Sequence, residues 1–524
     1  MGDIDSTNFN EEVLEQFTSA VNRASFISVD LEMTGISFQS ATGSENGGDT
    51  VALRYEKIKQ VAAAFNVIQV GVAVFGEDAC SVYNLYVFPR PVTEGSVDHI
   101  PVISMCSAST NFNRSHGMDF SRWVRDGITY VDSALESKLR AILLEDTASG
   151  EKAWNRLLSS FSGLDDQQKS SPEYASQEQR VLDEIEAMIA DNAVTTYKVP
   201  FIHGGQKYLK SILSTVHEKF PQLRLVEEVS GGGSSRVISK QTCEELFNEY
   251  IGFRRVWSAL TGCGKPVVFH NGFLDLMFCY QAFENELPLT ILEFKKSLKS
   301  LFPGGVFDTR LIAIESGLSM AGSAALETLA EMFTSEISVT NSGKYNSDAM
   351  AEERFHEAGY DALLTGKVFL GLKAKTDIEQ WKNFMCVSRC LWVLSVDTLD
   401  ADRLLLDCGV GKVRIVRILS DMNPSVNTRD VLSAFEDVKT VVPATVNIQW
   451  IDNAGGILLV TWNQPQDKSV DAVTTAVSAK LLEIVKAGSG LGETVKLATP
   501  QEYVKKQLEE ISPEAIMAQK RFRF

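Results

Sequence analysis

The hydrophobic and polar positions along the chain alternate in a way that predicts a mixed α/β protein. Strand-like segments lie at about 26–33, 67–75 and 81–89, and helical stretches follow them. The pattern resumes near Tyr250, where a short apolar strand from Pro266 to Phe269 opens into a helical run. We therefore predict one α/β core that is assembled from two distant parts of the chain.

A different pattern occupies the residues between these two parts. A polar stretch from Asp146 to Gln177 leads to a helical run from Gln179 to Ala190. The Gly-rich stretch from Val229 to Arg236 is typical of a hairpin tip or a flexible link. We interpret residues 146–245 as an inserted small α/β domain.

The last part of the chain predicts a separate domain. A helix is predicted to end near Val393, with Cys386 and Cys390 on one apolar face of it. The segments that follow read as strand, helix, strand, strand, helix and strand, at 413–419, 428–437, 445–450, 457–462, 471–486 and 494–497. This β-α-β-β-α-β order resembles an RNA-recognition module. The third strand lacks the paired aromatic residues that normally stack on bases, so RNA binding on the sheet face is not expected.

Composition limits the class of protein. The chain has 524 residues, 44% of them hydrophobic and 23% charged, which is typical of a globular protein with about three domains. No apolar run is long enough to span a bilayer, and the residues from Met1 to Asp5 lack the features of a secretory signal. We expect an intracellular protein, in the cytoplasm, the nucleus or both, with no membrane partner. The eight Cys show no zinc-ligand spacing, so neither zinc nor disulfides are predicted.

The net charge of −18 allows a nucleic-acid substrate only if basic residues are grouped locally, because counterion release depends on local Lys and Arg. Any one short group of basic residues is more often a solvated face than a binding site. The candidate positions are Arg122, Arg125, Lys207, Lys210, Lys295, Lys296, Lys299 and Arg310.

Two carboxylates on the first predicted strand are candidate metal ligands. Residues two apart on a strand point to the same side, so Asp30 and Glu32 project together. Two such carboxylates repel unless a cation lies between them, and Mg²⁺ or Mn²⁺ prefers hard oxygen ligands. An exposed strand with its polar face in water is the alternative interpretation of this motif alone.

Two later motifs add further acids and an imidazole. Asp275 lies at a strand-to-helix junction, where open α/β folds place their ligands, although a first-turn acid favoured by the helix dipole is an equal alternative. Asp361 follows His356 in F-H-E-A-G-Y-D. A histidine can take a proton near pH 7, because its reference pKa is about 6.5. The joint occurrence of these residues predicts metal-dependent phosphodiester hydrolysis.

With these motifs the chain resembles the poly(A)-specific deadenylases of the DEDDh exonuclease superfamily. The resemblance includes V-D-L-E-M-T-G-I, H-N-G-F-L-D-L-M, V-F-D-T-R-L-I-A and F-H-E-A-G-Y-D-A-L-L-T-G, together with the block from Phe112 to Tyr130. It implies a ribonuclease-H-like core, a mixed sheet flanked by helices. The inserted domain would be of a nucleic-acid-binding type, although its Arg-x3-His signature is not visible, and a dimer-supporting or purely structural insertion is about equally open.

The resemblance also implies roles for individual residues. Asp30, Glu32 and Asp361 would hold one Mg²⁺, Asp30 and Asp275 would hold the second, and His356 would take the proton. Mn²⁺ is an alternative ion. Among contacts to RNA, Phe112 would lie near the 3′-terminal adenosines, Arg310 would lie at the RNA backbone, and Met33 stands where the family has Phe. Trp450 matches a Trp that stacks on the 7-methylguanosine cap.

The sequence therefore predicts a 3′-to-5′ exoribonuclease that shortens poly(A) tails to 5′-AMP, with cap stimulation and a homodimer implied by the resemblance. A trimmer of small-RNA 3′ ends and a non-catalytic poly(A)- and cap-binding adaptor are the alternatives. The expected organisation is a nuclease core at 1–145 and 246–397, the insertion at 146–245, the RNA-recognition-like domain at 398–510 and a tail at 511–524.

Overall fold

The structure is a computed structural model of the chain. The residues that it describes are 3–38, 49–94, 96–145, 154, 159, 164, 166–191, 194–230, 233–319, 324–333, 337–341, 343–345, 354–388, 390, 392–397, 402–404, 412–423, 425–450, 455–463, 469–487, 495–500, 502, 503 and 506. The predicted tail at 511–524 and the hairpin turn at 451–454 lie outside the described residues.

The described chain contains both strands and helices throughout. The strands are β1 (Phe26–Met33), β2 (Val67–Phe75), β3 (Ala79–Tyr86), β4 (Val92–Glu94), β5 (Val97–His99), β6 (Thr196–Lys198), β7 (Arg224–Ser230), β8 (Gly233–Ser239), β9 (Val267–Phe269), β10 (Val306–Asp308), β11 (Ser338–Val339), β12 (Phe384–Cys386), β13 (Trp392–Ser395), β14 (Arg403–Leu404), β15 (Lys412–Ser420), β16 (Ala444–Trp450), β17 (Gly456–Asn463) and β18 (Lys496–Ala498). The α-helices are Glu11–Arg23, Val51–Ala64, Ser107–Ser115, Phe120–Asp126, Ser133–Arg140, Asp166–Lys169, Pro172–Ala190, Gly205–Lys219, Cys243–Ile251, Arg254–Gly262, Phe273–Cys279, Ile291–Leu301, Thr309–Glu315, Leu326–Met332, Ala358–Lys373, Thr428–Ala434 and Val470–Lys486. Short 3₁₀ and π segments lie at Ala141–Glu145, Tyr280–Glu284, Gly343–Tyr345, Ile378–Trp381 and Glu436–Thr440. None of these described helices is both long enough and apolar enough to cross a membrane.

The chain divides into two compact units. Unit 1 comprises residues 1–88, 102–128 and 255–524, and unit 2 comprises residues 89–101 and 129–254. Unit 1 contains the candidate site.

A six-stranded mixed sheet forms the centre of unit 1, in the order β10-β9-β1-β2-β3-β11. β2 is antiparallel to both β1 and β3, whereas β9 runs parallel to β1 and to β10. β2 is buried at every position, as its near-continuous apolar sequence predicts. The predicted mixed α/β core is confirmed.

The helix Ala358–Lys373 packs across this sheet. Its first-turn amides are satisfied by sheet side chains, since Gln69 Oε1 accepts from the amide of Ala358 at 3.4 Å and Asn84 Oδ1 accepts from that of Gly359 at 3.0 Å. The close approach depends on Gly71 of β2, because a Cβ there would lie 1.8 Å from the carbonyl oxygen of Ala358. A glycine in the strand therefore brings the start of this helix onto the sheet.

The predicted helix ending near Val393 is wrong. The long helix ends at Lys373, and β12 and β13 pair antiparallel, with Cys386 opposite Val393. A short apolar run is ambiguous between helix and strand, and pairing with a neighbouring strand decides it here.

The C-terminal part of unit 1 forms a four-stranded antiparallel sheet in the order β16-β17-β15-β18. Its strands and its helices, Thr428–Ala434 and Val470–Lys486, lie close to the predicted segments. An apolar core joins one face of the sheet to both helices, with Leu419, Val460 and Leu481 fully buried. Ile418 and Ile457, which point to the opposite face by strand alternation, are also fully buried, so that face is not open to solvent at its centre.

Unit 2 has its own three-stranded sheet, β6-β8-β7, and a separate apolar core. The helices Pro172–Ala190 and Gly205–Lys219 contribute to that core, and Trp154 is buried within it. β7 and β8 form the hairpin that the Gly-rich stretch predicts, although its tip at 231–232 lies outside the described residues.

Candidate active site

Two carboxylates project from the same side of β1. Asp30 and Glu32 are the partly exposed positions of an otherwise buried strand, as alternation predicts. Asp30 pairs with Gly71 and Glu32 pairs with Gln69 of β2. Both carboxylates therefore face the start of the helix Ala358–Lys373, which Gln69 helps to position.

A third carboxylate, Asp275, lies in the first turn of the helix Phe273–Cys279, directly after β9. The loop between them is held by Asp308, a fully buried carboxylate that accepts backbone N–H groups from Asn271, Leu311 and Cys386 at 3.0–3.3 Å. Asn271 adopts a positive φ of 57° in this loop. Burial raises the pKa of Asp308 to about 6, against the opposing effect of these hydrogen bonds. Asp308 thus shapes the loop before Asp275, a role that the sequence did not indicate.

The fourth carboxylate, Asp361, comes from the first turn of the helix Ala358–Lys373. One oxygen, Oδ2, accepts the backbone N–H of His356 at 3.1 Å. The other, Oδ1, is buried and has no hydrogen-bond partner among the described residues. His356 lies just before the helix with a positive φ of 69°. The turn therefore delivers the carboxylate and the imidazole to one place.

The acids lie close enough to raise one another's pKa values. Burial raises the pKa of Asp30 well above its ordinary value, and the charges of Asp361, Asp275 and Glu32 add to this effect. The pKa of Glu32 is also raised well above its ordinary value, first by burial and then by the charges of Asp361 and Asp275.

The pKa values of the other two acids are raised as well. Burial is the main cause for both, and it raises the pKa of Asp275 and that of Asp361 to about 7. Four carboxylates that repel one another in a buried place are costly unless a cation neutralises them.

The four acids and His356 line one cleft with a volume of about 890 Å³. The sequence predicted all five residues, and the fold brings them together from three distant segments of the chain. The cleft has a further carboxylate, Glu327, and further polar residues that include His270 and Asn271. Burial lowers the pKa of His270 to about 3, so this imidazole is neutral near pH 7. No sequence motif singled out Glu327.

The donor set fits a divalent cation of the Mg²⁺ or Mn²⁺ type. Ligand atoms of Glu32, His356 and Asp361 lie within 4.8 Å of one another. Carboxylate oxygens are the ligands that these hard ions prefer. The buried oxygen of Asp361 that lacks a hydrogen bond is a free ligand atom at this position. The residues present therefore fit the metal that the sequence predicts.

Three rings form a cluster at one side of the cleft. The ring of Phe112 lies 4.6 Å from that of His356 and 4.2 Å from that of His116, and the two imidazoles lie 4.4 Å apart. Burial, followed by the charge of His116, lowers the pKa of His356. Phe112 is 43% exposed and lines the cleft. The sequence predicted Phe112 but missed His116, whose only signal was its helical spacing from Phe112.

The other predicted contacts have different surroundings. Met33 is 6% exposed but lines the cleft, where Asn113 donates to its carbonyl oxygen. Arg310 is half-buried and donates to the carbonyl oxygen of Ala324. Trp450 is half-buried against the C-terminal core, and its indole N–H donates to Thr428 Oγ1 at 2.9 Å.

Several of the predicted basic groups are engaged in ion pairs. Lys295 is buried and pairs with Asp402, and Arg122 pairs with Asp3 and Asp5. Lys210 is buried on its helix. The expectation that these three positions contribute to a basic surface is wrong, because their side chains serve the fold.

A convergent set of carboxylates and an imidazole in a cleft beside a mixed sheet define a candidate hydrolase of the divalent-cation type. Residues 4–369 match the model of the CAF1 family ribonucleases, which is more than half of the chain. The chain therefore belongs to the CAF1 ribonuclease family.

Several curated proteins are similar to this chain. It is 30% identical over 402 residues to the poly(A)-specific ribonuclease PARN of Xenopus laevis, a match that covers 71% of this chain and 62% of that protein. It is also 30% identical over 401 residues to PARN of Homo sapiens, covering 70% and 61% respectively. The chain thus spans about three fifths of the length of these relatives.

Two further matches are more distant. The pre-piRNA 3′-exonuclease trimmer of Bombyx mori is 24% identical over 389 residues, covering 71% of this chain and 70% of that protein. Among solved structures, the Mg²⁺- and Mn²⁺-bound form of S. pombe Pop2p matches 71% of this chain and 92% of that chain, at 14% identity and a TM-score of 0.34.

Proposed function

We propose that the chain is a 3′-to-5′ exoribonuclease that removes adenosine nucleotides from the 3′ end of RNA and releases 5′-AMP. The observation that carries this proposal is the convergence of Asp30, Glu32, Asp275 and Asp361 with His356 in one cleft. The names of the relatives supply the substrate, since the PARN proteins are poly(A)-specific ribonucleases. A single-stranded 3′ end is suited to the cleft because its bases are free to stack on Phe112.

We propose for these residues the roles that the family resemblance implies. Asp30, Glu32 and Asp361 would hold one divalent cation, and Asp30 and Asp275 would hold a second. When bound, these ions would supply Lewis-acid stabilisation of the negative charge that develops on the phosphate and on the leaving oxygen. The ions we propose are Mg²⁺, with Mn²⁺ as an alternative.

His356 would act as the general base. Its lowered pKa keeps the imidazole neutral and able to accept a proton near pH 7. It takes the proton from a water whose oxygen forms the new bond to the phosphorus of the terminal nucleotide. The bond from phosphorus to the 3′ oxygen of the preceding nucleotide breaks, and that oxygen leaves with the electron pair and is then protonated. The product is a nucleoside 5′-monophosphate and an RNA shorter by one residue.

The remaining parts of the proposal concern the rest of the chain. The central sheet would be a ribonuclease-H-like core, and the C-terminal sheet with its strand order β16-β17-β15-β18 would be an RNA-recognition-type module. Residues 146–245 would form a small inserted domain of a nucleic-acid-binding type. Arg310 and Met33 would contact RNA, Trp450 would contact a 7-methylguanosine cap, and the chain would act as an intracellular homodimer.

A release assay tests the catalytic proposal. Oligo(A) and oligo(U) carrying a 5′ label are incubated with the protein and Mg²⁺, and product length and mononucleotide release are followed with time. We expect a ladder that shortens from the 3′ end of oligo(A), with 5′-AMP as the released product. A substrate with a blocked 3′ hydroxyl should resist degradation.

Matched variants connect the activity to the cleft. Asp30→Asn should abolish turnover and leave oligo(A) binding in place, whereas Asp78→Asn, an exposed residue in the turn between β2 and β3, should behave as the wild type. Turnover of Asp30→Asn at the wild-type rate would refute the proposal.

One alternative has a specific observation in its favour. The similarity to the Bombyx mori trimmer supports the trimming of 3′ ends of small RNAs irrespective of sequence. Equal rates on oligo(A) and oligo(U) would favour trimming, and a strong preference for oligo(A) would favour deadenylation.

A further inference from the structure

Among the described residues, the candidate base has no hydrogen-bond partner of the kind that usually orients a catalytic histidine. In most sites of this type, a carboxylate or a carbonyl oxygen holds one ring nitrogen and fixes the orientation of the imidazole. In the described part of the chain, the imidazole of His356 makes no hydrogen bond. Its backbone N–H donates to Asp361, which fixes the main chain but leaves the rotation of the side chain free.

The rings of Phe112 and His116 enclose this imidazole on two sides. Both lie close to the His356 ring at steep interplanar angles, 69° for Phe112 and 73° for His116. Edge-to-face contacts of this kind are favourable and depend on direction, unlike simple burial. The orientation of His356 is therefore defined by ring contacts.

A hydrogen bond also constrains the ring of His116. Its Nδ1 lies 2.8 Å from the carbonyl oxygen of Phe112, one helical turn earlier. A carbonyl oxygen can only accept, so Nδ1 carries the proton in this hydrogen bond. The contact fixes the plane of the His116 ring at the end of the helix Ser107–Ser115. Phe112 and His116, which come from the last turn and the C-cap of one helix, thus both contact the His356 ring.

We propose that His116 is a positioning residue that holds the His356 imidazole in the orientation from which it takes the proton. This role rests on the proposed hydrolase function of the cleft. His116 acts through its ring face and edge, whereas its Nδ1 is engaged in the hydrogen bond to the carbonyl oxygen of Phe112. Removal of its ring should let the His356 side chain rotate out of the productive orientation, which lowers the rate of the chemical step and leaves RNA binding unchanged.

Three substitutions at position 116 separate the ring from the nitrogen atoms. His116→Ala should lower kcat on oligo(A) about threefold to tenfold, the range expected for the loss of one aromatic contact, with KM within a factor of two of the wild type. His116→Phe keeps a ring and should restore kcat to within about twofold. His116→Asn keeps a polar group without a ring and should stay as slow as His116→Ala. Ser121→Ala, at an exposed position on the next helix, is the matched control.

A double-variant cycle tests whether His116 acts through His356. If it does, His116→Ala should cause no further loss of kcat in a His356→Ala background. An additional loss in that background would overturn the proposal, because His116 would then act on the substrate by itself. A wild-type kcat for His116→Ala, or a His116→Phe variant as slow as His116→Ala, would also overturn it.

A readout that needs no turnover separates this inference from the proposed function. In the metal-free protein, the ring protons of His356 should show ring-current shifts from Phe112 and His116 in an NMR spectrum. His116→Ala should move these signals towards the values of a freely rotating histidine, and His116→Phe should not. Unchanged signals in His116→Ala would refute the positioning role. If the wild-type protein degrades no RNA while the signals change as expected, the proposed function is wrong, but the positioning of His356 by the His116 ring is supported.

Discussion

In the metal-free protein, the Asp361→Asn variant should gain stability relative to the wild type as the pH rises. The carboxylate is 7% exposed, and burial raises its pKa from 3.8 to about 7. That shift corresponds to about 4 kcal/mol of preference for the protonated form. A neutral amide of the same shape does not carry this cost.

The sign of the effect follows from linkage. A carboxyl group whose folded pKa lies above its unfolded pKa stabilises the fold fully only below the unfolded value, and that stability is lost as the pH rises through the folded value. Between pH 4.5 and pH 8, the wild type should therefore lose stability that the Asn variant keeps. Over this pH range, the free energy of unfolding of the variant should rise by about 3–4 kcal/mol relative to that of the wild type.

The substitution also has a destabilising effect, which does not depend on pH. The Oδ1 position has no hydrogen-bond partner among the described residues, so an amide nitrogen placed there is unsatisfied and costs about 1–3 kcal/mol. The variant should thus be the less stable protein at pH 4.5 and the more stable one at pH 8. Activity should be lost at both pH values, because the variant lacks a carboxylate that we propose as a metal ligand.

Urea denaturation in the presence of a chelator measures this difference, with midpoints compared at pH 4.5 and pH 8. Asp78→Asn, at an exposed position, should show no such dependence on pH. Addition of Mg²⁺ or Mn²⁺ at pH 8 should raise the wild-type midpoint and leave that of Asp361→Asn nearly unchanged. A difference between variant and wild type that is the same at both pH values would refute the reasoning.

Three other substitutions test the fold around the site. Gly71→Ala should lower turnover at least about 100-fold, because its Cβ would lie 1.8 Å from the Ala358 carbonyl oxygen and displace the helix that carries Asp361; a wild-type rate would contradict this. Lys295→Met should lower the free energy of unfolding by about 3–5 kcal/mol because it removes the ammonium group that pairs with the buried Asp402, and a neutral effect in urea denaturation would be inconsistent with the ion pair. Trp450→Ala should destabilise the C-terminal sheet by about 1–3 kcal/mol, seen as a lower melting midpoint, and should leave turnover of uncapped oligo(A) unchanged, since the indole packs on that core.

Local patterns in the sequence predicted four of the six strands of the central sheet, β1, β2, β3 and β9, but not the short strands β10 and β11. β1 and β2 have the predicted bounds because their apolar runs are long, and alternation alone placed Asp30 and Glu32 on one side. The five catalytic candidates were also predictable, because four carboxylates and a histidine in these motifs are the residue types that metal-dependent phosphodiester hydrolysis requires. The segment around Cys386 was not, because a short apolar run fits either a helix or a strand and pairing with β13 decided between them.

The sequence by itself determined the acids, the imidazole and the sheet that carries two of the carboxylates, because these depend on residue type and on periodicity along a few neighbouring positions. Only the tertiary structure decided which side chains share the cleft with them. His116 contacts His356 across some 240 positions of sequence, and Asp308 shapes the loop before Asp275 by accepting amides from three segments. Likewise, Lys295 and Arg122 form ion pairs with distant residues, and no local pattern indicates these pairs. Contacts between distant segments follow from the packing of whole helices and strands, which a pattern of neighbouring residues does not contain.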